Sequence, residues 1–131
     1  MRILFALNTL GFGGAEVFTA RLANALSHRG HKIFVYVHNY GFDGLNLLTQ
    51  FDPTVTVVFF HRNKLIDFLS WKANALFSFI REDFREWIKE RWIKRFIKKN
   101  NIQIVSSQGI VTDAWFSKID LDIPVVSTIH E

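Results

Sequence analysis

The feature that most constrains this chain is the alternation of short strand-like runs with helical patterns. Ile3–Asn8 is almost continuously apolar, as expected of a central parallel strand covered on both faces. Lys32–His38, Thr54–Phe60, Ile102–Ser107 and Pro124–Ile129 are rich in Val, Ile and aromatic residues. Between the first two runs, Ala15–Arg29 places Phe18, Leu22, Ala25 and Leu26 on one helical face, and Gly30 stands where a left-handed residue closes a helix. Strand–helix–strand repetition with short connections predicts an α/β fold built on a doubly wound parallel sheet. With 131 residues, 49% of them hydrophobic, the chain suffices for one such domain.

Composition narrows the chemistry. The absence of cysteine excludes disulfide scaffolds, thiol nucleophiles and Cys-type zinc sites. His28, His31, His38 and His61 form no helical i, i+4 ligand pair, so no metal is expected. The longest apolar stretches, such as Val55–Phe60, are far too short for a membrane span, and the opening Met1–Leu7 is too short for a signal peptide. A cytoplasmic location is the expectation.

Charge is concentrated rather than spread. Between His61 and Lys99 there are eleven Lys/Arg against five Asp/Glu, whereas the rest of the chain carries five against seven. Half of the aromatic residues fall between Phe59 and Phe96. In Leu76–Glu90 the helical period gathers Ile80, Phe84, Trp87 and Ile88 on one side. In Arg91–Lys99, Trp92, Ile93, Phe96 and Ile97 fall nearly opposite. A straight helix cannot bury both stripes on one surface, so it either breaks near Lys89–Arg91 or has two partners. The expectation is a crossover helix over roughly Arg91–Lys99, packed on the sheet, with an aromatic and basic helical excursion occupying about 61–99.

In an open parallel sheet, ligands bind beyond the carboxyl ends of the strands. Strand one is followed by Asn8-Thr-Leu-Gly-Phe-Gly-Gly-Ala-Glu16, strand two by Asn39, strand three by His61, strand four by Gln108-Gly109, and strand five by His130-Glu131. Gly11, Gly13 and Gly14 let the backbone approach a ligand where a helix begins, and the free N–H groups and dipole of that end favour phosphate. The spacing is G-x-G-G rather than G-x-G-x-x-G, and His38 and Asn39 stand where a ribose-binding acid would close strand two. A nicotinamide enzyme is disfavoured, and no P-loop motif is present. Asp113, the carboxylate nearest the fourth loop, reads as a solvated helix residue.

Leu10-Gly-Phe-Gly-Gly-Ala-Glu16, followed by Leu22-Ala-Asn-Ala-Leu26 and Arg29-Gly-His31, resembles the N-terminal opening of GT-B glycosyltransferases, and of family 4 in particular. Ile104–Gly109 and Ile123–His130 look like that family's fourth and fifth strands in the expected order, whereas residues 40–100 show little likeness. The resemblance implies a Rossmann-like domain, the acceptor-side half of a retaining, hexosyltransferase-type enzyme. That enzyme would move a sugar from a nucleotide-diphosphate donor to an acceptor hydroxyl in glycan, polysaccharide or glycolipid biosynthesis. It implies that Gly13 and Gly14 lie beside the donor diphosphate and that His130 is the catalytic candidate at the donor sugar. Glu16 matches the acid of the opening motif, although its local job could equally be to favour the helix N-terminus. Where the family commonly has Asp-[apolar]-[apolar]-His-x-His-Gly, this chain reads Gln103-Ile-Val-Ser-Ser-Gln-Gly109. Gln108 can hydrogen-bond a sugar hydroxyl but cannot act as a general base near neutral pH. Gln108 and Gly109 therefore remain candidate substrate contacts.

The resemblance also implies that a nucleotide-sugar-binding C-terminal domain lies outside residues 1–131, so that this single N-terminal domain alone is inactive. Basic clusters interleaved with Trp and Phe in 61–99 suit an anionic membrane surface carrying a lipid-linked acceptor, with the protein peripheral at its inner face. The alternatives are a non-catalytic flavodoxin-like module binding a phosphorylated ligand, and nucleic-acid binding through the basic segment. The latter lacks a motif and is not expected.

Overall fold

The computed structural model describes residues 1–9, 13–38, 48–59 and 81–128. The chain divides into two compact units, one formed by residues 1–59 with 101–131 and the other by residues 60–100. The second unit coincides with the aromatic and basic excursion expected from composition.

The first unit is a five-stranded, wholly parallel sheet: β1 (Arg2–Leu7), β2 (Lys32–Val37), β3 (Thr56–Phe59), β4 (Ile104–Ser107) and β5 (Val125–Ser127). Their order across the sheet is β3-β2-β1-β4-β5, so the winding direction reverses between β1 and β4. Leu4–Leu7 and Ile33–Val37 are buried without interruption, the near-continuous apolar pattern that a strand covered on both faces requires. β5 closes one edge, with Val125 and Val126 exposed. Strand boundaries fall within two residues of those expected from the sequence.

Helix α1 (Gly14–His28) covers one face. Ala20 and Ala23 join Phe5, Leu7, Ile33, Val35 and Val37 in one core, completed by Phe51 and Val55. The buried stripe is Thr19, Ala20 and Ala23, flanked by Val17, Leu22 and Leu26. Phe18 is 47% exposed and Ala25 also faces out, unlike the face chosen from periodicity. Small residues bring the helix axis close to the sheet, and the two alanines dictate that approach. The helix ends as expected, with Gly30 at φ 92°. Its N–H donates to the Ser27 carbonyl while that of His31 donates to Leu26, the paired bonds of a Schellman cap. Asn24 ties α1 to the segment before β3: its amide donates to the Gln50 carbonyl (2.8 Å) and its oxygen accepts from the Asp52 N–H (2.9 Å). Beside it the exposed His28 imidazole meets the Asp52 carboxylate, Nε2 to Oδ2 at 2.5 Å, with Asp52 itself half-buried.

The opposite face carries Phe34 and Tyr36 and is covered by α3 (Ile110–Ser117) through Trp115 and Phe116. Ser107, at the end of β4, donates to the Thr112 hydroxyl inside α3 (2.7 Å).

In the second unit, helix α2 runs unbroken from Arg81 to Lys99. Of the two alternatives left by the shift of apolar stripe, the break near Lys89–Arg91 is absent, and the helix begins ten residues earlier than the Arg91–Lys99 span proposed from the sequence. The span has neither Pro nor Gly. Two contacts also straddle the junction: the Arg91 guanidinium lies 4.9 Å from the Trp87 ring centroid, and Lys94 pairs with Glu90 at 3.2 Å. Trp92 and Phe96 stack at 5.5 Å, and Ile93 and Ile97 are buried. Trp87, part of the other stripe, is 52% exposed. Among the described residues no helix is long and apolar enough to cross a membrane.

Candidate functional site

The reversal of strand order places the sheet's natural crevice between the carboxyl ends of β1 and β4. The loop carrying Gly13 and Gly14 leaves β1 there, and Gln108-Gly109 leaves β4 beside it. The two ends are joined directly: the Gln108 N–H donates to the Ala6 carbonyl at 3.0 Å.

Gly13 is the N-cap of α1, in extended geometry and with no side chain to cap the helix. Its carbonyl accepts from the Val17 N–H (3.1 Å). The first-turn N–H groups of α1 therefore have no capping side chain of their own, which is the arrangement that favours an anion. Gly14 opens the helix, and a Cβ added there would meet nothing within 4 Å. Its bare backbone can be approached from outside. Gly13 differs, because a Cβ there would run into the Glu16 carboxylate, with Cδ at 3.0 Å and Oε1 at 3.4 Å. Glu16 folds back over the start of its own helix.

Gln108 is only 4% exposed. Its Nε2 donates to the Ser106 hydroxyl at 2.7 Å and, at 3.3 Å, to the Thr128 hydroxyl. Thr128 in turn donates its N–H to the Ser107 carbonyl (2.8 Å), so the exits of β4 and β5 are laced together. The side chain that the sequence offers as a sugar contact thus braces the stem from which His130 follows. Gly109 is the N-cap of α3, in extended backbone with open space where a Cβ would stand. Beside it Ile110 is 86% exposed, an apolar surface at the crevice mouth. Asp113, expected to be solvated, is half-buried, and its Oδ1 is shielded from water with no hydrogen bond among the described residues.

At the end of β2, His38 lies inside the protein, 8% exposed. Its Nδ1 shares a 3.0 Å hydrogen bond with the Tyr36 hydroxyl, and its ring centroid is 4.7 Å from that of Trp115. This cluster of Tyr36, His38 and Trp115 was not legible as a unit, because it needs α3 to cross the face that β2 presents. The period-two spacing of Phe34, Tyr36 and His38 was its one signal. Gly11, Asn39, His61, His130 and Glu131, singled out in the sequence, lie outside the described residues.

Comparison with known proteins completes the picture. No curated protein matches the chain. Among solved structures, a glycosyltransferase from Rickettsia africae ESF-5 is similar at a TM-score of 0.59 and 17% identity, over 98% of this chain and 29% of that one. That likeness concerns the fold. The sequence model of Glycosyltransferase Family 4 matches residues 12–131, nearly the whole chain, from the glycine pair of the β1–α1 loop through β5. The chain belongs to Glycosyltransferase Family 4.

Proposed function

We propose that this chain forms the acceptor-side half of a retaining, hexosyl-transferring glycosyltransferase that uses a nucleotide-diphosphate sugar. The observation that carries the reading is the reversal point between β1 and β4, flanked by Gly13–Gly14 and by Gln108–Gly109, in a chain of this family. The donor diphosphate would lie against the first turn of α1. As the bond from the anomeric carbon to the diphosphate breaks, its electrons pass to the diphosphate oxygen. The helix dipole and first-turn N–H groups stabilise that charge where it develops. The acceptor oxygen bonds to the same carbon on the face the diphosphate leaves, and its proton passes to the departing diphosphate oxygen. His130 would stand at the donor sugar.

The chain spans 29% of the Rickettsia glycosyltransferase, and residues 1–131 on their own are expected to transfer no sugar. The direct test is binding. Titration with uridine diphosphate, followed by amide NMR, is expected to shift Gly13 to Val17 first and furthest. Shifts confined to other parts of the chain would overturn the assignment.

The acceptor side has its own support. On α2, Trp87, Arg91, Arg95, Lys98 and Lys99 are exposed, and no acid occurs from Arg91 to Lys99. An exposed tryptophan beside a run of cations suits the headgroup layer of an anionic, cytoplasm-facing membrane that carries a lipid-linked acceptor for glycan or glycolipid synthesis.

A further inference from the structure

The outward side of α2 concentrates two chemistries on one line. At 3.6 residues per turn, Trp87, Arg91, Arg95 and Lys98 fall within about 80° of one another and span about 16 Å of helix. All four are exposed, while Ile93 and Ile97 are buried on the opposite side. Glu90, the acid next to Arg91 in sequence, is turned to Lys94 at 3.2 Å. A row of cations of this length complements an extended anionic surface. Within the row, Trp87 and Arg91 differ from the rest. The Arg91 guanidinium lies 4.9 Å from the Trp87 ring centroid, one turn away, so a ring 52% exposed and a planar cation are already held together in water. Arg95, Lys98 and Lys99 have no such partner among the described residues.

We infer that Trp87 and Arg91 form one recognition unit for the phosphodiester headgroups of an anionic bilayer, with Arg95, Lys98 and Lys99 adding charge that selects no particular headgroup. This rests on the membrane reading of α2 and goes beyond it by assigning the anchor. An indole settles at the boundary between headgroups and acyl chains, and a guanidinium binds phosphate oxygens in a bidentate fork. A pair that is already stacked reaches both layers without first ordering two long side chains. Trp92 and Phe96, stacked on each other at 5.5 Å and half-buried, stay with the protein. No covalent bond is made or broken.

The test is co-sedimentation of the chain with phosphatidylcholine vesicles containing phosphatidylserine. Arg91→Lys keeps the charge and loses the planar, stacking guanidinium, and Arg95→Lys makes the same change outside the pair. Arg91→Lys is expected to weaken binding about two- to tenfold, the range set by the ordering of one long side chain, and Arg95→Lys to leave it unchanged. Trp87→Ala is expected to weaken binding at least as much. In the Trp87→Ala background Arg91→Lys should then cost nothing more, because the pair is already lost. All three side chains are exposed, so the urea midpoints are expected to stay close to that of the parent protein. Equal binding by Arg91→Lys and Arg95→Lys, or additive losses in the double variant, would overturn the proposal and leave the membrane reading standing. Binding of the parent to no vesicle, with or without phosphatidylserine, would remove the membrane reading and the anchor with it.

Discussion

Replacing Gln108 by Ala separates a brace from a substrate contact. The side chain is 4% exposed and donates to Ser106 at 2.7 Å and to Thr128 at 3.3 Å. The shorter bond contributes about 1 kcal/mol and the longer one about 0.5 kcal/mol, net of the water bonds they replace. Truncation also removes one buried methylene, worth about 0.8 kcal/mol. Against this, the folded chain no longer has to fix the rotamers of a long side chain, which offsets about 1.5–2 kcal/mol. The half-buried Ser106 and Thr128 hydroxyls lose a donor, which restores about as much cost. The expected destabilisation is about 2 kcal/mol. For 131 residues, with an unfolding entropy of about 2.1 cal/mol/K per residue, that lowers Tm by about 7 °C. Urea unfolding should show a reduced midpoint with an unchanged m value. A midpoint equal to that of the parent, together with weakened binding of uridine diphosphate, would refute the reasoning and return Gln108 to the role of a ligand contact.

Three further outcomes are expected. Asn24→Ala removes both ties between α1 and the segment before β3 and should cost about 2 kcal/mol by urea unfolding; the neighbouring His28→Ala, which removes an exposed imidazole and opens the Asp52 carboxylate to water, should cost less than about 1 kcal/mol. Tyr36→Phe deletes the bond to His38 from a fully buried site and should cost about 1 kcal/mol by the same measurement. On α2, changing Arg91, Arg95, Lys98 and Lys99 together to Gln should weaken co-sedimentation with phosphatidylserine vesicles by up to roughly a thousandfold, since each surface cation adds about 1 kcal/mol to such binding. Sedimentation that ignores both the substitutions and the lipid charge would remove the membrane reading.

What the sequence could and could not reveal divides along a physical line. Strands buried on both faces leave no choice of side chain, so the apolar runs around Phe5 and Val35 announce themselves. Gly30 is equally plain, because a positive φ closing a helix selects for a residue without a Cβ. These are constraints acting on one position at a time. Periodicity misled where two constraints met. On α1 the face read from periodicity was half right: Leu22 and Leu26 pack against the core, but Phe18 and Ala25 are exposed and the buried places are taken by Ala20 and Ala23. On α2 the switch of apolar stripe leaves open a break or two packing partners, and the sequence places the crossover helix only over Arg91–Lys99. The backbone instead has no reason to stop, with no breaker in the sequence and two side-chain contacts across the junction.

The candidate site follows the same line at finer grain. That a glycine pair opens a helix after the first strand was visible in the letters alone, and so was its suitability for phosphate. That the two glycines do different things was not. Gly14 is bare toward the outside, whereas Gly13 is bare because Glu16 needs the space, and that difference arises from one side-chain rotamer three residues along the helix. Gln108 shows the converse case. Its place in the motif suggested an outward role, but the pleat puts Ser106 two residues before it on the same face, and the parallel pairing brings Thr128, just past the end of β5, beside them. A buried amide beside two hydroxyls hydrogen-bonds to them, because leaving it unpaired would cost more than any contact at the surface could return. Whether a polar residue at the end of a strand faces ligand or scaffold is therefore decided by its cross-strand neighbours, so the pairing of β4 with β5 has to be known before Gln108 can be assigned a role.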